Sequence, residues 1–122
     1  MNEEDLKLRT KKFSLRIIKL VSALPKSDIG RAIGKQLVRC GTSVGANYRS
    51  ACRARSKADF IAKLAIVEEE ADESAFWLEI IIESGLMKKE LISLLLNEVD
   101  EIIAIIVASQ KSLKSKIKDL RS

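Results

Sequence analysis

The sequence predicts an all-α fold, namely an antiparallel up-down-up-down four-helix bundle formed by a single domain that spans residues 1–122. Apolar residues recur every three or four positions through four long segments, and this is the spacing of one face of an α-helix. Five glycines and one proline are too few for the many turns of an all-β protein. With 47% hydrophobic residues, a chain of this length can bury one core.

The first two predicted helices cover residues 5–24 and 28–53. Pro25 ends the first helix, because proline cannot continue a helical hydrogen-bond ladder, and Ser27 is a favourable N-cap for the second. Phe13, Ile17, Leu20 and Leu24 form the apolar face of the first helix. The core face of the second is predicted to hold Ile33, Leu37, Cys40, Val44, Asn47 and Ala51.

The third and fourth predicted helices cover residues 57–84 and 88–120. Ser56 and Asp59 resemble a capping box at the start of the third, and Gly85 is a typical residue just beyond a helix end. Connections this short make sequential helices run antiparallel. The fourth helix carries large apolar residues over an arc of roughly 220°, more than one bundle needs, so we predict a homo-oligomer.

The composition argues against an enzyme. The sequence contains no histidine, the side chain used most often as a general acid or base and as a metal ligand. Acidic residues cluster at positions 68–73, but di-iron sites in helical bundles pair such residues with histidines. We therefore expect no catalytic residue, no metal and no cofactor.

The cysteines and the hydropathy indicate a cytoplasmic protein. Cys40 and Cys52 are predicted to lie on one helix, about 18 Å apart, which is too far for a disulfide. The longest apolar run, residues 102–108, is too short to cross a bilayer, so we expect no membrane association.

Cations of the second predicted helix share one side. On a helical wheel, five of them fall within an arc of about 80° that lies opposite the apolar face. These five are Arg31, Lys35, Arg39, Arg49 and Arg53, with Arg55 and Lys57 at the edge of the row. Such a surface can contact the phosphates of RNA or DNA without reading their sequence. It can equally be solvated, or paired with acidic side chains of the third helix or of a protein partner.

Charge is strongly segregated along the chain. Residues 1–57 contain 14 Lys and Arg against 4 Asp and Glu, whereas residues 58–110 contain 3 against 12. Residues 111–122 contain 5 against 1, and the whole chain has a net charge of +5. This distribution suits either a polyanion-binding surface or salt bridges between helices or subunits.

Glycines mark a second side of the same helix. Gly30, Gly34, Gly41 and Gly45 lie along one flank, where each costs about 1 kcal/mol relative to alanine. We expect either that a neighbouring helix backbone approaches this flank closely or that the helix kinks at Gly41. Asn47 is the one polar residue of the predicted core face, so we expect a buried amide that fixes the helix register or holds a neighbouring backbone.

Four stretches carry a resemblance to a known family. They are residues 24–27 (LPKS), 42–48 (TSVGANY), 53–60 (RARSKADF) and 67–74 (VEEEADES). Over roughly residues 13–107, the chain resembles the four-helix-bundle family of proteins encoded in 23S ribosomal RNA intervening sequences. It is also similar to the accessory protein of diversity-generating retroelements. It departs from the commoner family pattern at Gly45, where proline is usual, and at positions 49–51.

The resemblance implies a small bacterial bundle that assembles into a homopentamer and has no known catalytic activity. In the retroelement relative, it implies a basic surface that binds nucleic acid and a reverse transcriptase. We therefore predict a non-enzymatic oligomeric bundle that binds RNA, including ribosomal RNA, or DNA through the basic face of the second helix. The alternative is a protein-interaction scaffold or accessory subunit whose basic face docks an acidic partner.

Overall fold

The computed structural model describes residues 1–121, which form four α-helices and no strand. The helices are α1 (Glu3–Ser22), α2 (Asp28–Ala51), α3 (Lys57–Glu83) and α4 (Lys89–Arg121). Each helix packs against the next along the chain, and α1 also contacts α4, although less extensively. The predicted all-α four-helix bundle is thereby confirmed, with every helix end within two residues of the predicted position.

Side-chain caps set the helix ends. Ser27 and Ser56 accept hydrogen bonds from the backbone N–H groups of Gly30 and Asp59, both at 3.0 Å, as predicted for N-caps. Helix α1 begins earlier than predicted because Asn2 accepts a hydrogen bond from the Asp5 N–H at 2.9 Å. Gly85 has a φ of 75° and lies in the turn that follows α3.

The glycine flank of α2 faces α1. Helix α2 is continuous through Gly41, so the predicted kink is absent and the close approach is the correct alternative. A Cβ atom on Gly41 would lie 2.7 Å from Cγ2 of the buried Ile17, and one on Gly45 would lie 3.1 Å from the carbonyl oxygen of Thr10. The Ser14 hydroxyl donates to the Gly41 carbonyl at 3.0 Å, which links the two backbones across the interface.

The core lies between the four helices. Its largest fully buried side chains are Phe13, Ile17, Leu37, Leu64, Leu78, Ile81, Ile92, Ile102, Ile106, Val44, Val67 and Val99. The prediction of a buried Asn47 is wrong. Asn47 is half-buried and donates to the Ser43 carbonyl at 2.8 Å within α2, while the next residue, Tyr48, is 3% exposed and occupies the core. The core face therefore continues from Val44 by a step of four residues rather than three.

Apolar side chains remain on the outside of α4 and α1. On α4, Leu91 and Leu94 are 62% and 73% exposed. On α1, Leu8, Leu15 and Ile18 are also exposed. Across residues 1–121, no helix is both long enough and apolar enough to span a membrane.

Candidate nucleic-acid interface

Two separate pockets lie along the outside of the α1/α2 interface, and basic side chains line both; we call the surface that contains the two pockets the α1/α2 groove. We call the first the Arg49 cluster: it comprises Lys7 and Lys11 from α1, Arg49 from α2 and Arg53 from the turn that follows α2. Between these cations, the base of the groove consists of small residues, namely Ser14, Thr42, Gly45 and Ala46. Because Gly45 lets the helices approach, the cations of the two helices stand on opposite sides of one narrow groove.

The Arg49 cluster is regular in spacing. Lys7 and Lys11 are four residues apart on α1, or about 6 Å along the helix axis, and Arg49 and Arg53 have the same spacing in sequence, although α2 ends at Ala51. Lys7 pairs with Glu4 at 3.1 Å. Lys11, Arg49 and Arg53 are exposed and form no salt bridge with any residue from 1 to 121. The groove therefore holds positive charge that the protein's own carboxylates do not neutralise.

We call the second group the Lys35 cluster: it comprises Lys26, Arg31 and Lys35 and lines the second pocket, towards the other end of the α1/α2 interface. The base here includes Gly30, Gly34 and Val38. Arg31 lies 3.4 Å from Asp28, but both side chains are largely exposed, and such pairs contribute little. Lys35 is exposed and makes no salt bridge within the described part of the chain.

Arg39 departs from the predicted row. Its guanidinium pairs with Glu70 of α3 at 3.4 Å and also with Glu73, which in turn accepts a hydrogen bond from the Trp77 indole at 3.2 Å. The hydrogen bond from Arg39 holds the pKa of the Glu73 carboxyl below its ordinary value. On the helical wheel Arg39 stands at the edge of the basic arc nearest α3, so this cation faces the acidic helix.

The remaining predicted residues lie at one end of the bundle. Arg55 is exposed in the connection between α2 and α3, and Lys57 is the exposed first residue of α3. Both follow Arg53 closely in sequence. Asn47 does not line the groove.

Sequence reasoning missed the α1 side of the groove. Lys7 and Lys11 were not predicted as site residues, and neither was Lys26 before α2. Two features of the sequence pointed to these residues. The lysines of α1 are four residues apart, and the glycine flank of α2 required a closely packed helix beside the basic arc. Combining the two features required knowing that α1 is that helix.

A second arginine is paired at the α1/α4 interface. Arg9 donates two hydrogen bonds to the Glu98 carboxylate, each at 2.7 Å, and it also contacts Glu101. These bonds hold the pKa of Glu98 below its ordinary value. Within residues 1–121, no three His, Cys, Asp or Glu side chains are grouped as metal ligands.

The fold and the groove place the molecule among small antiparallel four-helix-bundle proteins. More particularly, the chain belongs to the 23S rRNA-intervening sequence protein family, whose model matches residues 4–108. This confirms the resemblance inferred from the sequence motifs.

A solved structure is similar over almost the whole chain. It is a protein of unknown function from the S23 ribosomal protein family of Bacteroides thetaiotaomicron, with 35% sequence identity and a TM-score of 0.84. The match covers 91% of this chain and 99% of that chain. A search of curated proteins found no match.

Proposed function

We propose that this protein is a non-enzymatic oligomeric bundle that binds RNA or DNA through the α1/α2 groove, mainly by contacts to phosphates. The observation that carries the proposal is the Arg49 cluster, in which Lys11, Arg49 and Arg53 converge without a salt bridge inside the described chain. Cations that are held close together without carboxylate partners repel one another. A bound polyanion reduces this repulsion.

The chemistry of the groove favours phosphate over base contacts. Arginine and lysine bind phosphate oxygens, and the small residues between them carry no long side chain that reaches a base edge. Binding is then sensitive to salt, because each neutralised phosphate releases counterions. The family description links the relatives to 23S rRNA, so fragments of ribosomal RNA are the first ligands to test.

Self-association is the second part of the proposal. Leu91 and Leu94 are more than half exposed on α4, and an apolar surface of this kind on a bundle is typical of a subunit interface. The family resemblance implies a pentamer, which would present five copies of the groove. A monomeric mass by light scattering at micromolar concentration would contradict this part of the proposal.

The groove is tested by a double charge reversal, Arg49→Glu with Arg53→Glu. We expect at least a tenfold loss of affinity for a ribosomal RNA fragment in a gel-shift titration, with a shallower salt dependence because about two phosphate contacts are lost. Lys88→Glu with Lys89→Glu is the matched control, since both lysines are exposed at the start of α4 and the change in net charge is the same.

Affinity that falls equally in both double variants would show that only net charge matters. Unchanged affinity in R49E/R53E would overturn the proposal. Wild-type protein that binds no nucleic acid but binds an acidic protein would favour the scaffold alternative.

A further inference from the structure

The two basic clusters lie in two pockets along the same side of α2, and this arrangement limits the shape of the ligand. The Arg49 cluster and the Lys35 cluster both lie along the α1/α2 interface, on the same side of α2. Helix α2 is continuous between them, so their separation is set by a rigid rod. A ligand that contacts both clusters must therefore run parallel to α2.

The α2 residues that line the two pockets on their facing sides are uncharged. Val38 lines the pocket of the Lys35 cluster, Thr42 lines the pocket of the Arg49 cluster, and both are half-buried. On α1, Ile18 lies one turn beyond Ser14 on the line of residues that faces the groove, and it is 45% exposed. Phosphate contacts are thus available at the two ends, while the centre offers apolar contacts to sugars and bases.

The length of α2 between the clusters gives a size for the ligand. At 1.5 Å per residue, the helix rises about 21 Å from Lys35 to Arg49 and about 30 Å from Arg31 to its end at Ala51, with Arg53 two residues further on. One strand of nucleic acid rises about 3.4 Å per nucleotide when its bases are stacked. The two clusters are therefore about six to ten nucleotides apart along a strand.

We propose that the groove binds a single strand of nucleic acid that lies along it and contacts both clusters at once, an inference that rests on the proposed function. A single strand is flexible enough to follow a straight, narrow groove. A strand within a duplex winds around the helix axis and leaves such a groove within part of a turn. The ligand class is therefore single-stranded RNA or DNA of at least six to ten nucleotides.

The test is a length series of single-stranded oligouridylate and oligothymidylate of about 4, 8, 12 and 16 nucleotides, measured by fluorescence anisotropy. Wild-type affinity is expected to rise at least tenfold between about 4 and 12 nucleotides, because only the longer strands reach both clusters. Beyond that length, the gain per nucleotide is small. A 12-base-pair duplex is expected to bind more weakly than the single strand of equal length.

Variants in each cluster show whether both are needed. R49E/R53E and, separately, R31E/K35E are expected to remove the rise with length, and K88E/K89E is expected to keep it. A smooth rise that survives R31E/K35E, or a duplex that binds as tightly as the single strand, would overturn this inference while leaving the groove as a nucleic-acid site. If no oligonucleotide of any length binds to wild-type protein, the proposed function itself fails.

Discussion

The cations at the two outer edges of α2 differ in whether they are paired with carboxylates. At the α2/α3 edge, Arg39 is paired with Glu70 and Glu73, which are three residues apart on α3. At the α1/α2 edge, Arg49 and Arg53 face lysines of α1 and no carboxylate pairs with them within residues 1–121. The α1/α4 edge repeats the first pattern, since Arg9 is paired with Glu98 and Glu101, again three residues apart.

The difference follows from charge segregation combined with topology. The positive charge of residues 1–57 lies mostly on α1 and α2, and the negative charge of residues 58–110 lies mostly on α3 and α4. When the four helices pack in sequence order, α2 meets the acidic α3, and α1 meets the acidic first part of α4, residues 89–110. At the α1/α2 interface two positive helices meet, and there Lys11, Lys35 and Arg49 form no salt bridge within residues 1–121.

The largest effect is expected from Gly41→Leu, which disrupts the close contact between α1 and α2. Even a Cβ atom at this position would lie 2.7 Å from Ile17, so leucine must push α1 away from α2. We expect a loss of about 3 kcal/mol in the free energy of unfolding, typical of severe overpacking. Urea denaturation followed by circular dichroism measures it.

The matched control is Ala32→Leu, which adds the same side chain at an exposed position of α2. This variant is expected to stay within about 0.5 kcal/mol of wild type. If Gly41→Leu were equally harmless, the close contact between the helices would not stabilise the bundle, and the narrow groove would lose its structural basis.

An intermediate effect is expected from Arg9→Met, which removes the pairing at the α1/α4 edge but keeps most of the apolar stem. Arg9 and Glu98 are both about one-fifth exposed, and hydrogen bonds to charged groups at such sites contribute about 2 kcal/mol. Thermal unfolding at neutral pH should show a clear fall in Tm relative to wild type.

This contribution depends on pH in a defined direction. Arg9 lowers the pKa of Glu98 in the folded protein below its ordinary value of 4.5, so the stabilisation is present above that pH. It is lost as the pH falls through the lowered value, because Glu98 is then protonated in both states. The Tm difference between wild type and Arg9→Met should therefore shrink in acid, and a difference that grows instead would contradict the assignment.

The smallest effect is expected from Arg39→Gln, which sharpens the comparison between the two edges of α2. Because Arg39 is already paired with α3, its loss should change nucleic-acid affinity less than about twofold, a small fraction of the tenfold loss expected for R49E/R53E. The pairing lowers the pKa of Glu73, and in the variant that pKa should return towards its ordinary value. A loss of affinity as large as that of R49E/R53E would show that Arg39 contacts the ligand.

Local patterns were sufficient to predict the fold. Ser27, Ser56 and Pro25 mark helix ends through chemistry that acts within a few residues, and the apolar spacing determines which face is buried. The error at Asn47 is of a different kind. Positions 47 and 48 both border the core face on a helical wheel, and the packing of the other helices decides which of them is buried.

Only the α2 side of the groove could be predicted from the sequence, for a related reason. A helical wheel places Arg39 and Arg49 on one surface, but it holds no information about the neighbours at either edge. Glu70 and Glu73 pair with Arg39, so this cation is not part of the groove surface. Lys7 and Lys11 of α1 add to that surface. Both changes arise from contacts between segments distant in sequence, which a single helical period cannot show.

The hydrogen bond from Trp77 to Glu73 gives the protein an optical probe that needs no label. Trp77 is the sole tryptophan in the sequence, and its indole shares the carboxylate that Arg39 contacts. Indole emission responds to charge beside the ring, so its wavelength reports whether the α2/α3 pairing is intact. Emission from Trp77 can therefore be followed while nucleic acid is titrated into the protein. A ligand that only occupies the α1/α2 groove should leave the emission unchanged, whereas a rearrangement of the whole bundle should shift it.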